Sequence, residues 1–131
     1  MKRMPGGFAV IGDVQWLPGY SLLLTDNPAA HRLPDLSADE QSRFLESMAG
    51  LASAVEIACS DRDPDFVRVN IEILGNSDPF LHAHIWPRYA WEDPDTLARP
   101  VWLYPESHWK DPTRQLGPEH NQIRSAITAL L

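Results

Sequence analysis

The run Pro79-Phe80-Leu81-His82-Ala83-His84-Ile85-Trp86-Pro87-Arg88 has two faces of different chemistry. Side chains alternate along a strand, so Leu81, Ala83 and Ile85 share one side while Phe80, His82, His84 and Trp86 share the other. The apolar trio needs a core beneath it. The two imidazoles then stand on the opposite side, about 6.6 Å apart along the strand, a pitch at which both could touch one phosphate. Just upstream, Phe66 to Leu74 (FVRVNIEIL) also alternates apolar and polar residues, and Gly75-Asn76-Ser77-Asp78-Pro79 makes the turn between the two strands.

The rest of the chain supplies layers for these strands. Phe8–Gly12 and Tyr20–Thr25 read as an early hairpin, with Pro18-Gly19 marking its turn. Ser37 with Glu40 three residues later is a capping box, and Phe44, Leu45, Met48, Leu51, Ala52 and Val55 follow at helical spacing. This predicts one long amphipathic helix over Ala38–Ala58. Ala90 to Pro118 carries five prolines and three tryptophans, which predicts an irregular segment packed by aromatics, and a terminal helix is expected from about Glu119. Strands, a helix and strands again, without repeated strand–helix alternation, predict an α+β fold with an antiparallel sheet.

Composition narrows the function classes. A chain of 131 residues is expected to form a single domain. No stretch approaches the roughly 20 apolar residues of a bilayer span, and Met1–Gly7 runs into Asp13 too early for a signal peptide, so a cytoplasmic protein with no membrane partner is expected. The single cysteine, Cys59, has no partner for an internal disulfide. A net charge of −7 argues against polymeric nucleic acid, whose binding needs a basic stripe, and leaves a small phosphorylated ligand possible.

Spacing alone leaves His82 and His84 open to three readings: a solvated pair, a zinc pair awaiting a third ligand such as Glu72, or a nucleophile with its helper. A neutral imidazole has one free ring nitrogen and can attack phosphorus. The wider motif, Asn70-Ile71-Glu72-Ile73-Leu74-Gly75-Asn76-Ser77-Asp78-Pro79-Phe80-Leu81-His82-Ala83-His84-Ile85-Trp86-Pro87-Arg88, resembles the signature of bacterial members of the histidine triad superfamily. That signature is approximately Asn-x-x-x-Leu-Gly-Asn-x-x-Pro-His-Leu-His-x-His-Ile-x-Pro-Arg. Gln15-Trp16-Leu17-Pro18-Gly19-Tyr20 resembles the Gln-x-x-Pro-Gly-Tyr turn of the same group, and Leu36-Ser37 with Glu40 its helix entry.

The resemblance implies a sheet of about five antiparallel strands with one long helix and a C-terminal helix. It also implies a nucleotide hydrolase or nucleotidyl transferase acting at the α-phosphate of a phosphoramidate, dinucleoside polyphosphate or related nucleotide. His82 would be the nucleophile, His84 would hydrogen-bond a phosphate oxygen, and Ser77 would relay a proton to the leaving group. Asn76 and Gly75 would meet the phosphate; Asn70 and Gln15, with Asp13 competing, would face the ribose. No cofactor is required for the covalent step, though a divalent metal could accompany a polyphosphate. A homodimer with the sheet extended across subunits is implied too.

The chain departs from the pattern at two places: Phe80 stands where the first histidine of the triad would be, and Tyr20 where many relatives carry histidine. The alternative function is a nucleotide-binding module with weak catalysis. Phe8, Val10 and Leu22–Leu24 are candidates for an apolar base pocket, and His31 for a minor place at the site. Trp91, Trp102 and Trp109 are read as packing, and Trp86 as cover for the phosphate end or a dimer contact.

Overall fold

A short hairpin opens the chain in the computed structural model, which describes residues 1–131. Lys2–Met4 (β1) turns at Pro5-Gly6 into Gly7–Ile11 (β2), which pairs with Ser21–Leu24 (β3). Two further strands, Phe66–Glu72 (β4) and His82–Tyr89 (β5), complete one antiparallel sheet in the order β1-β2-β3-β5-β4. β1 was not expected from the sequence, because three residues carry too little alternation to be seen.

The long helix (α1) spans Ala38–Ser60, two residues beyond the expected Ala58. Its first turn closes as the capping box requires, with Ser37 Oγ accepting from the Glu40 amide and the Glu40 carboxylate accepting from the Ser37 amide at 2.8 Å. Phe44, Leu51 and Val55 face the sheet and are fully buried against Leu23, Leu81, Ala83 and Ile85. Asn121–Leu130 (α4) packs Ile123 and Ile127 into the same core. No helix is long and apolar enough to cross a membrane.

The other face of the sheet is covered differently. The segment after β5 holds two short helices, Pro94–Leu97 (α2) and Glu106–Lys110 (α3), joined by 3₁₀ turns. It closes a second, aromatic cluster of Trp16, Leu17, Tyr20, Trp86, Tyr89, Val101 and Tyr104. Arg88 anchors it. Its guanidinium donates to both Glu92 oxygens at 3.0 and 3.1 Å, to the Leu97 and Arg99 carbonyls, and to the Tyr104 hydroxyl, while Glu92 also accepts from the Tyr89 amide. A buried ion pair is tolerable only when its remaining hydrogen-bonding groups are satisfied, and here they are. Burial and the Glu92 carboxylate push the Tyr104 phenol up to about 12, so it stays a donor.

Candidate active site

His82 and His84 stand on the face of β5 turned away from α1, as the alternation predicts. Their strand partners share that face: Leu24 lies opposite His82 and Leu22 opposite His84 on β3, with Glu72 opposite His84 on β4. Phe8 and Val10 of β2 pair with Leu24 and Leu22 in turn, so an apolar, partly open strip runs from the sheet's β2 side up to the histidines. A cleft of about 480 Å³ opens on their other side, lined by Leu74, Gly75, Asn76, Ser77, Asp78, His82, His84 and Trp102.

Hydrogen bonding fixes the state of the nucleophile candidate. His82 Nδ1 lies 2.6 Å from the carbonyl oxygen of Phe80. A carbonyl can only accept, so Nδ1 carries a proton, and in the neutral form of the ring the lone pair falls on Nε2. The two Nε2 atoms of His82 and His84 are 3.0 Å apart. His84 Nδ1 is 2.7 Å from the Tyr20 hydroxyl, and its ring lies parallel to that of Trp86, which stacks on Tyr20 at a centroid distance of 3.7 Å. Burial, with His82 beside it, lowers the His84 pKa to about 4, so its imidazole is neutral at pH 7.

The turn before β5 brings Gly75, Asn76 and Ser77 to the cleft. His31 donates to or accepts from no cleft residue; its Nδ1 meets the Pro79 carbonyl at 3.0 Å and ties the turn to the loop ahead of α1. Asn70 shares the histidine face but lies opposite Trp86 and lines a separate hollow with Val67, Arg68, Arg88 and Leu97. The register carries it one strand-pair beyond the histidines, outside the lining of the cleft.

Gln15 lies outside that lining too. It is buried, and its amide is spent on backbone: Nε2 donates to the Gly12 and Tyr20 carbonyls at 2.8 and 2.9 Å, and Oε1 accepts from the Gly19 amide at 2.9 Å. It clamps the loop that presents Tyr20, which also needs Gly19 at a φ of +94°. Trp86 neither covers the cleft nor reaches a surface, since it is buried and donates through Nε1 to Glu72 at 3.0 Å. Trp102, read as packing, is 52% exposed and forms a wall of the cleft, while its neighbour Val101 is buried and holds the turn in place. No group of three His, Cys, Asp or Glu side chains converges to hold a metal ion, and Glu72 is engaged by Trp86 instead.

No protein-family model matches the sequence, and neither does any curated protein. Solved structures do match. A histidine triad protein from Sinorhizobium meliloti superposes with a TM-score of 0.69 over 98% of this chain and 89% of that one, at 20% identity. One from Bradyrhizobium japonicum gives 0.67 over 93% and 79% at 24% identity, and one from Marinobacter aquaeolei 0.60 over 94% and 83% at 19% identity. The chain has the histidine triad fold: the five-stranded antiparallel sheet, the long helix and the C-terminal helix all stand where that fold has them.

Proposed function

We propose that the chain is a nucleotide hydrolase or nucleotidyl transferase of the histidine triad type, with His82 as nucleophile at the α-phosphorus. The observation that carries this reading is the 2.6 Å contact of His82 Nδ1 with the Phe80 carbonyl, which leaves Nε2 as the one basic nitrogen of the ring, at the cleft. In the first step the Nε2–phosphorus bond forms as the bond from phosphorus to the leaving group breaks. Ser77, on the facing turn, relays a proton to the departing group. In the second step the hydroxyl of water or another acceptor attacks phosphorus and gives up its proton to solvent, the P–N bond breaks, and nucleoside monophosphate or its ester leaves with His82 restored. His84 donates to a phosphoryl oxygen as negative charge grows there. Asn76 and the Gly75 backbone line the same cleft.

The open strip of Phe8, Val10, Leu22 and Leu24 suits the nucleoside base, and Trp102 suits an aromatic or apolar group on the opposite wall. The cleft has no Lys or Arg in its lining and includes Asp78. This favours a substrate of low charge, such as a phosphoramidate, unless a divalent cation accompanies a polyphosphate. Phe80 in place of the first triad histidine favours a second reading, a nucleotide-binding module of weak catalysis.

Intact-mass spectrometry after brief incubation with adenosine 5′-phosphoramidate separates the two. A nucleotidyl adduct and monophosphate release in wild type, both absent from His82→Ala, support the enzyme. Binding without adduct or turnover in either protein supports the module. For assembly, we propose a homodimer through the outer edge of the sheet, where Val67 and Ile71 of β4 and the following Ile73 are exposed. Light scattering should give twice the chain mass, and Ile71→Lys should return a monomer.

A further inference from the structure

With one proton on each ring, the hydrogen bonds around the two histidines form one chain with a single workable direction. It starts at the Phe80 carbonyl, which accepts from His82 Nδ1 at 2.6 Å. His82 Nε2 then holds a lone pair, and the nitrogen 3.0 Å from it must supply a proton, so His84 carries its hydrogen on Nε2. His84 Nδ1 is left as an acceptor, 2.7 Å from the one remaining hydroxyl, that of Tyr20. The reverse direction would set two lone pairs against each other at the Phe80 carbonyl. Burial raises the Tyr20 phenol well above its ordinary value, aided by Asp13 and Glu72, so it is protonated and able to donate.

We infer that Tyr20 is a positioning residue, whose hydroxyl holds His84 by Nδ1 and so commits its Nε2–H to be the outward donor. In the free protein that proton caps the attacking nitrogen of His82. An arriving phosphoryl oxygen is a better acceptor than a neutral imidazole, because charge-assisted hydrogen bonds are the stronger kind. His84 therefore transfers its donation to the phosphoryl group, and the same movement frees the His82 lone pair for attack. The nucleophile is uncovered by the group it attacks.

Three features make the device rigid. The Tyr20 ring is stacked on Trp86 at an interplanar angle of 7°, and Trp86 is parallel to His84 within 4°. Trp86 is tethered through Nε1 to Glu72. Gln15 accepts from the Gly19 amide and donates to the Tyr20 carbonyl, so the residue's own backbone is pinned from below.

The test is ¹⁵N NMR of the histidine rings in the full-length protein without ligand, comparing wild type with Tyr20→Phe, which keeps the stacked ring and removes the hydroxyl. The expected wild-type spectrum shows His84 protonated on Nε2, with Nδ1 at the position of an unprotonated nitrogen that accepts a hydrogen bond. In Tyr20→Phe the Nδ1 resonance moves downfield, to that of a free lone pair. Substituting the tyrosines with 3-fluorotyrosine, a stronger donor of nearly the same shape, moves it the opposite way and serves if Tyr20→Phe folds poorly. Wild-type His84 protonated on Nδ1, or an Nδ1 resonance unmoved by both changes, overturns the inference. This arm needs no turnover.

The kinetic arm rests on the nucleotidyl-transfer reading: kcat falls about tenfold in Tyr20→Phe, the worth of one hydrogen bond, with KM little changed. A rise in KM alone overturns the positioning role. If neither protein turns over while the NMR arm behaves as expected, the enzyme reading fails and the Tyr20–His84 arrangement stands.

Discussion

The two faces of the sheet are built by different means. The face toward α1 is aliphatic and regular: Leu23, Leu81, Ala83 and Ile85 meet Phe44, Leu51 and Val55, all at or near zero exposure. The face toward the C-terminal segment is aromatic and polar, and its order comes from directed contacts: Arg88 with Glu92, Tyr104 and two carbonyls, Tyr20 with His84, Trp86 with Glu72. Non-directional packing tolerates changes of shape, whereas a hydrogen-bond network fixes positions and suffers when one member is lost. The proposed chemistry uses the face that has fixed positions.

Paired truncations sharpen this contrast. Arg88→Ala leaves the buried Glu92 carboxylate without its ion-pair partner and should cost about 3–5 kcal/mol of stability. It should also loosen the segment that carries Trp102, so that nucleotide affinity falls as well. Leu51→Ala removes a fully buried side chain from the α1 core and should cost about 2–5 kcal/mol through lost burial and a cavity, with kcat and KM of the folded fraction unchanged. Denaturant unfolding and kinetics on both variants check the pair; loss of activity in folded Leu51→Ala, or an unaltered cleft in Arg88→Ala, breaks the division between the faces.

A smaller effect is expected at Trp102. The indole is half exposed and contributes little to the core, so Trp102→Ala should leave Tm within a few degrees of wild type. Its loss should raise KM about tenfold, a change of about 1.4 kcal/mol, with kcat nearly constant, because a stacking wall binds ground state and transition state alike. An unchanged KM would return Trp102 to the packing role its sequence context suggested.

The legibility of the sequence follows the same division. Alternation placed β4 and β5 and assigned each face of β5 correctly, and Ser37 with Glu40 located the start of α1 to the residue, because both signals are local. The motif around His82 brought the Gly75–Ser77 turn to the cleft for the same reason. Gln15, Tyr20 and Trp102 were harder to read. Gln15 resembles any polar turn residue until its three backbone partners are known. Tyr20 meets His84 across 64 positions, and only its place in the Pro-Gly-Tyr turn set it apart. Trp102 lies in a proline-rich stretch without periodicity, where nothing local tells an inward tryptophan from an outward one.

The central claim, that the histidine face carries a nucleophile in this chain, is tested most directly by mapping the site of modification. Wild-type protein is mixed with adenosine 5′-phosphoramidate, quenched within the first turnover under conditions that preserve P–N bonds, digested and sequenced by mass spectrometry. The account predicts the nucleotidyl group on the peptide containing His82, localised to that residue and absent from His84. A modification carried by any other residue, or turnover at full rate in His82→Ala, would contradict it.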